Sequence, residues 1–154
     1  MKNKLLSGLR WLLICQIPAA IGGAFVHDHL TWYATLTRPP LAPPDALFGI
    51  VWTLLYLLLG ASGYLLIGTA WRTRPKLTAL FLGQLVLNAS WTPVFFGLHS
   101  LSGAVLVLML MILQGSWLAR TAWRQNKVAV WFMCPYFIWL CFAAYLTAGY
   151  WLLN

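Results

Sequence analysis

Acidic side chains number two in 154 residues, Asp28 and Asp45, and charged residues of both signs together make up only 8%. An ordinary soluble domain carries about 25% charged residues. The chain has too little charge to cover a water-facing surface, which excludes a soluble globular enzyme. The scarcity of acid also removes paired carboxylates for acid–base chemistry. No carboxylate lies inside an apolar stretch, which argues against an ion-coupled pump. Cysteine is equally sparse. Cys15, Cys134 and Cys141 sit in apolar runs without a CxxC, so they read as small buried hydrophobes forming neither disulfide nor metal site. No HExxH, phosphate-cradling glycine loop or Ser/His/Asp arrangement is present, and no cofactor is expected. His27-Asp28-His29 is the one cluster that suggests metal, but three adjacent loop residues seldom converge on one ion.

What fills the chain instead is apolar: 62% hydrophobic and 16% aromatic, with 10 tryptophans. A spanning helix needs about 20 mostly apolar residues. Five stretches qualify, at 5–26, 46–70, 77–97, 101–122 and 128–153. The reading is an all-α integral membrane protein, one five-helix bundle over 1–154. An opening Met1-Lys2-Asn3-Lys4 before an apolar run resembles a signal peptide, but the run is too long for one, and the first helix is read as retained. Lys2, Lys4 and Arg10, then Arg72, Arg74 and Lys76, then Arg120, Arg124 and Lys127 fall on one side of this topology, against Arg38 alone on the other. That bias predicts a cytoplasmic N-terminus and an outer C-terminus. It also accounts for the +8 net charge without nucleic acid. A helical bundle favours an inner bacterial membrane over a barrel-bearing outer one.

Residues 27–45 form the one long connection, expected outside the membrane as a lid over the bundle. Pro39-Pro40 and Pro43-Pro44 fix φ and remove donors, so the whole segment is expected to be stiff and extended rather than helical. Headgroup-depth belts explain most tryptophans, with Trp11, Trp71, Trp117, Trp123 and Trp131 toward the basic side and Trp32 and Trp151 toward the other. Trp52, Trp91 and Trp139 remain, all in the outer half of the bundle. Gln84, Asn88 and Thr92 recur at i, i+4 beside Trp91 and Phe95. Phe48, Trp52 and Tyr56 make a stripe on the second helix, and Tyr136, Trp139 and Ala143 one on the fifth. Amides and hydroxyls in hydrocarbon need partners, so these faces point inward. Two readings stand: a packed core with interhelical hydrogen bonds, or an aromatic-lined pocket for a large, flat, apolar ligand. Pro18, Pro93 and Pro135 interrupt three helices and widen a bundle locally. Ala79-x3-Gly83 and Gly22-Gly23 allow close helix approach, within the chain or in a homodimer.

The run Trp32-Tyr33…Arg38-Pro39-Pro40…Pro43-Pro44…Phe48-Gly49-x2-Trp52-Thr53-x2-Tyr56 resembles the translocator protein family, also called tryptophan-rich sensory proteins or peripheral benzodiazepine receptors. The likeness continues through Gln84-x3-Asn88-x2-Trp91-x3-Phe95-Phe96-Gly97 and Pro135-Tyr136-x2-Trp139-x2-Phe142-Ala143. It implies a five-helix bundle, often dimeric, that binds porphyrins such as protoporphyrin IX and, in some members, sterols and benzodiazepine-type drugs. It also implies a pocket beneath the first loop, with Tyr33, Pro43, Trp52, Tyr56, Asn88, Trp91, Thr92, Trp139 and Ala143 at the ligand-binding positions. Arg38 or the loop histidines would meet porphyrin propionates. Two departures stand out. Leu146-Thr147 replaces the family's Leu-Asn, and Tyr150 is followed by Trp151-Leu152-Leu153-Asn154, without the basic residue of the sterol motif, which favours a porphyrin. The functional expectation is therefore a membrane binding protein for tetrapyrroles, serving transport, sensing or regulation. The alternative is light-dependent porphyrin breakdown with Trp52 and Trp139 as redox partners. A stability or assembly factor without a small ligand is the third reading.

Overall fold

The computed structural model describes residues 2–154. In chain order it holds α1 (Lys2–Asp28), a single turn α2 (Leu30–Tyr33), α3 (Asp45–Leu66), α4 (Pro75–Thr92) continued by a π-helical turn (Pro93–Gly97), α5 (Leu101–Trp123) and α6 (Lys127–Leu153). Among the described residues there is no strand. Five helices, with α4 and its π turn counted as one, are long and apolar enough to cross a membrane. The shortest of them, α3 with 22 residues, is about 33 Å long at 1.5 Å per residue, enough for about 30 Å of hydrocarbon. The protein is a multi-pass integral membrane protein.

Local chemistry sets the helix ends. The Ser100 and Asn126 side chains accept from the backbone N–H of Gly103 and Ala129, which caps α5 and α6. Pro75 opens α4, where its missing N–H costs nothing. The second spanning helix stops at Leu66, short of the expected 70, because Gly68 turns left-handed at φ +51°. The freed Gly68 carbonyl accepts from Trp11 Nε1 at 3.0 Å. Trp11 is only 3% exposed, so it belongs to the core and not to the basic-side belt. Trp71, Trp117, Trp123 and Trp131 do face outward. Arg72, Lys76 and Lys127 lie over the rings of Trp71, Trp117 and Trp123.

The helices close into a ring in the order α1, α3, α6, α5, α4, with α4 returning to α1. Polarity is inverted relative to a soluble protein. Leu5, Leu13, Val86, Leu113 and Ile138 stand outward, where lipid receives them. Packing is tight toward the basic end. A Cβ on Gly60 would lie 2.9 Å from Leu12 Cα, and one on Gly63 would lie 2.9 Å from the Trp11 ring. Only glycine lets α1, α3 and α4 approach this closely.

The expectation that all of residues 27–45 are extended is corrected. Residues 27–28 complete α1, and Leu30–Tyr33 form a further helical turn. The four prolines all lie from Pro39 onward, so nothing stiffens the first part, and its aromatics gain by packing. Trp32 stacks on His99 at 4.0 Å, and Tyr33 lies 5.5 Å from Phe96. The irregular stretch is confined to 34–44 and is fastened to the end of α6. Tyr145 donates to the Pro40 carbonyl at 3.0 Å, and the Asn154 amide bonds both backbone groups of Thr37. A Cβ on Gly149 would sit 2.6 Å from Pro39 Cβ; glycine there lets the buried Pro39 rest on α6.

Candidate ligand-binding site

In the half of the bundle beneath this loop, the ring of helices does not close on itself. A cavity of about 520 Å³ lies there, bounded by α1, α2, α3, α4 with its π turn, and α6, with no lining residue from α5. Small residues leave the space on α1: Ala19, Gly22 and Gly23, just beyond Pro18. Opposite them, α3 presents Phe48, Gly49, Trp52, Thr53 and Tyr56 at helical spacing. Trp91, Thr92, Phe95 and Phe96 come from the third span, and Ala143, Leu146, Thr147 and Tyr150 from α6. Pro93 begins the π turn and removes a backbone donor. Leu98 N then bonds the Pro93 carbonyl five residues back at 2.9 Å. This local widening turns both Phe95 and Phe96 inward, and Phe95 stacks on Trp91 at 5.1 Å.

The floor is a polar network. Tyr56 Oη donates to Asn88 Oδ1 at 2.7 Å, and Asn88 Nδ2 donates to Tyr136 Oη at 3.0 Å. Gln84 Nε2 donates to the same Tyr136 oxygen at 2.8 Å and to the Met111 carbonyl at 3.1 Å. Gln84, Asn88, Tyr56 and Tyr136 are all buried. Their mutual bonding is the interhelical glue that hydrocarbon demands, and it closes the bottom of the cavity. Above the floor, unbonded polar groups are few. Thr147 lies in the wall, while the Trp91 indole N–H, without a protein acceptor, is itself covered and does not reach the space. Such a lining offers much aromatic face and few polar anchors.

The roof comes from α2 and the end of α6. Tyr33 and Tyr150 share a hydrogen bond of 2.6 Å. Burial, reinforced by that bond, pushes the Tyr33 hydroxyl above its usual range. Arg38 lies 5.7 Å over the Tyr33 ring and donates to Asp45, the first residue of α3.

Seven of the nine sequence-derived binding positions line this one cavity: Tyr33, Trp52, Tyr56, Asn88, Trp91, Thr92 and Ala143. Two do not. Pro43 lies half-buried in the loop before α3, and Trp139 sits in the seam between α3 and α6. Its ring meets Phe48 at 5.9 Å and Trp52 edge-on at 6.4 Å, so those two rings stand between it and the space. Arg38 is held by Asp45 and is not in the lining, whereas His27 is. The histidines and Asp28 do not converge. His27 pairs with Asp28 at 3.2 Å, while His29 bonds the Phe25 carbonyl and packs edge-on against His99.

Sequence reasoning missed the α1 wall and the upper α6 wall. Gly22-Gly23 read as a packing motif, and Gly22 does serve one: a Cβ there would meet Thr92 Oγ1 at 3.2 Å. Thr147 and Tyr150 continue the Ala143 stripe at i+4 and i+7, a spacing that could have found them. Gly83 lies against Gln114 of α5, so that glycine serves packing within the chain.

Comparison with known proteins gives this geometry its context. The model of the TspO/MBR family matches residues 11–152. The chain is 36% identical over 141 residues to the translocator protein of Homo sapiens, covering 85% of this chain and 80% of that one. It is 35% identical over 138 residues to the tryptophan-rich protein TspO of Chlorobaculum tepidum, covering 87% of each. Identity to the protein CrtK of Rhodobacter capsulatus is 32% over 146 residues, covering 94% of this chain and 90% of that one. A five-span helical bundle, a family match over nearly its whole length and relatives of this similarity lead to one conclusion: the chain belongs to the TspO/MBR family.

Proposed function

We propose that the protein binds a large, flat, apolar small molecule in the outer-half cavity, with a porphyrin such as protoporphyrin IX as the leading candidate. In this role it serves transport, sensing or regulation of tetrapyrrole level. The observation that carries the reading is the wall itself. Trp52, Tyr56, Trp91, Phe95 and Phe96, from two spans that are not neighbours in the ring of helices, face one space of about 520 Å³, within the range of small-molecule sites. Aromatic faces suit a flat conjugated ring. Thr147 offers orientation, and His27 at the rim offers a partner for a carboxylate. The loop 34–44 acts as a lid held to α6. Family resemblance extends the candidates to benzodiazepine-type drugs and sterols, and suggests a homodimer. The nine-to-one cation bias supports a cytoplasmic N-terminus, and a helical bundle supports the inner bacterial membrane.

The test is a titration of purified protein with protoporphyrin IX in the dark, followed by tryptophan quenching. Saturable quenching that weakens at least tenfold in affinity in Trp52→Ala and Trp91→Ala is expected. Identical, unsaturable quenching in all variants would contradict the proposal.

A second reading, light-dependent breakdown of a bound porphyrin, is favoured by one contact. Trp52, in the cavity wall, lies edge-on to Trp139 at 6.4 Å, a pair that can supply an electron to a photo-excited porphyrin, with dissolved dioxygen as the oxidant that opens the ring. Illuminating the same titration decides it. Loss of porphyrin absorbance that needs both rings supports this reading, and loss that ignores them contradicts it.

A further inference from the structure

The cavity has to be filled from somewhere, and the two helices on either side of it differ in separation along their length. Near the basic end α1 and α3 touch backbone to side-chain position, with Leu12 Cα 2.9 Å from where a Gly60 Cβ would stand. Toward the other end they part. A Cβ on Gly23 or on Gly49 would meet nothing within 4 Å. Both glycines line the cavity, and both are solvent-exposed. Thr53, one turn beyond Gly49, is likewise exposed and in the cavity wall. At this level the cavity is bordered by a gap between α1 and α3 in which neither glycine meets a neighbour. Its lower limit, Thr53, is eight residues inside α3, about 12 Å along the helix axis. That depth lies beside acyl chains, not beside water.

The surface of the cleft is made for an apolar passenger. Thr53 Oγ1 donates to the Gly49 carbonyl of its own helix at 2.8 Å, so its hydroxyl is satisfied and the wall presents a methyl group. The roof over the cavity is held by contrast, with the exposed His27 and Asp45 at its rim. Tyr33 is hydrogen-bonded to Tyr150, Arg38 is paired with Asp45, and the loop is tied to α6 through Tyr145 and Asn154. Lifting the roof would break all of these together, while the gap between α1 and α3 needs no bond broken.

We infer that the cleft between α1 and α3 is a lateral portal through which a flat, apolar molecule dissolved in the membrane enters and leaves the cavity. This rests on the proposed function, since a portal has meaning only if the cavity is occupied. The portal makes the ligand's concentration in the membrane, not in water, the quantity that the protein responds to.

Ala24 and Ile50 are exposed neighbours of Gly23 and Gly49 that do not line the cavity. The test places cysteines at both, in a Cys134→Ala/Cys141→Ala background, and straps them together with a reducible bifunctional thiol reagent. The protein is held in phosphatidylcholine vesicles, and protoporphyrin IX binding and release are followed by tryptophan quenching. Strapping is expected to slow association and release together by at least tenfold, with affinity unchanged within about threefold and both rates restored by reduction. Saturable binding at unaltered rates in the strapped protein would overturn the portal and leave the cavity's role intact. Absence of saturable binding before strapping would overturn the proposed function, and the portal with it.

Discussion

At Tyr136 one fully buried hydroxyl oxygen accepts from two amides, Asn88 Nδ2 and Gln84 Nε2. Tyr136→Phe keeps the ring and removes that acceptor, stranding two buried donors. Each stranded group costs about 1–3 kcal/mol, so the variant should melt several degrees lower in detergent, where Cys141→Ala should not, since of the three cysteines expected to be buried only Cys15 is, and Cys141 is exposed. Tyr33 makes the complementary case at the roof. Its hydroxyl is pushed above the ordinary tyrosine value, first by burial and then by its bond to Tyr150. A group with a raised folded-state value lends stability that is fully present below its unfolded value, about pH 10, and is lost as pH rises through the folded one. Thermal stability of the wild type should therefore fall more steeply than that of Tyr33→Phe between about pH 10 and 12. Parallel decline of the two proteins would contradict this account of the roof.

Elements, unlike single residues, were legible in the sequence where composition alone decides them. Apolar runs gave five spans, and Ser100, Asn126 and Pro75 mark their starts. Stripes on α3 and α4 turned Trp52, Tyr56, Asn88, Trp91 and Thr92 inward, where the structure has them line one cavity. Periodicity fails where a neighbour intervenes. Trp139 shares the inward face of α6 with Ala143, but Phe48 and Trp52 of α3 cover it, and no property of α6 by itself foretells that. Prolines at 39–44 likewise say nothing about 27–33, which helical packing of Trp32 and Tyr33 decides. Glycines are the least legible, because the same residue type makes a contact at one end of a helix pair and a gap at the other. The contrast can be measured. Gly60→Val would drive a side chain into the α1 backbone and should destabilise the fold severely, whereas Gly23→Ala enters open space and, by relieving a helical glycine, should be neutral or stabilising by up to about 1 kcal/mol. Equal melting temperatures for the two variants would sink the picture of helices that touch at one end and part at the other.

For the molecule as a whole, a bundle that is packed solid at its basic end and hollow at the other has its shape explained by a ligand more readily than by stability. Filling the hollow with side chains would bury more apolar surface. The most direct measurement of this claim is a structure determined with protoporphyrin IX present. The account predicts the macrocycle inside the bundle between α1, α3 and α4, its face against Trp52 or Trp91 and its edge above the Asn88 amide. Density for the porphyrin only on the lipid-facing surface, with the space between those tryptophans empty or collapsed, would contradict it.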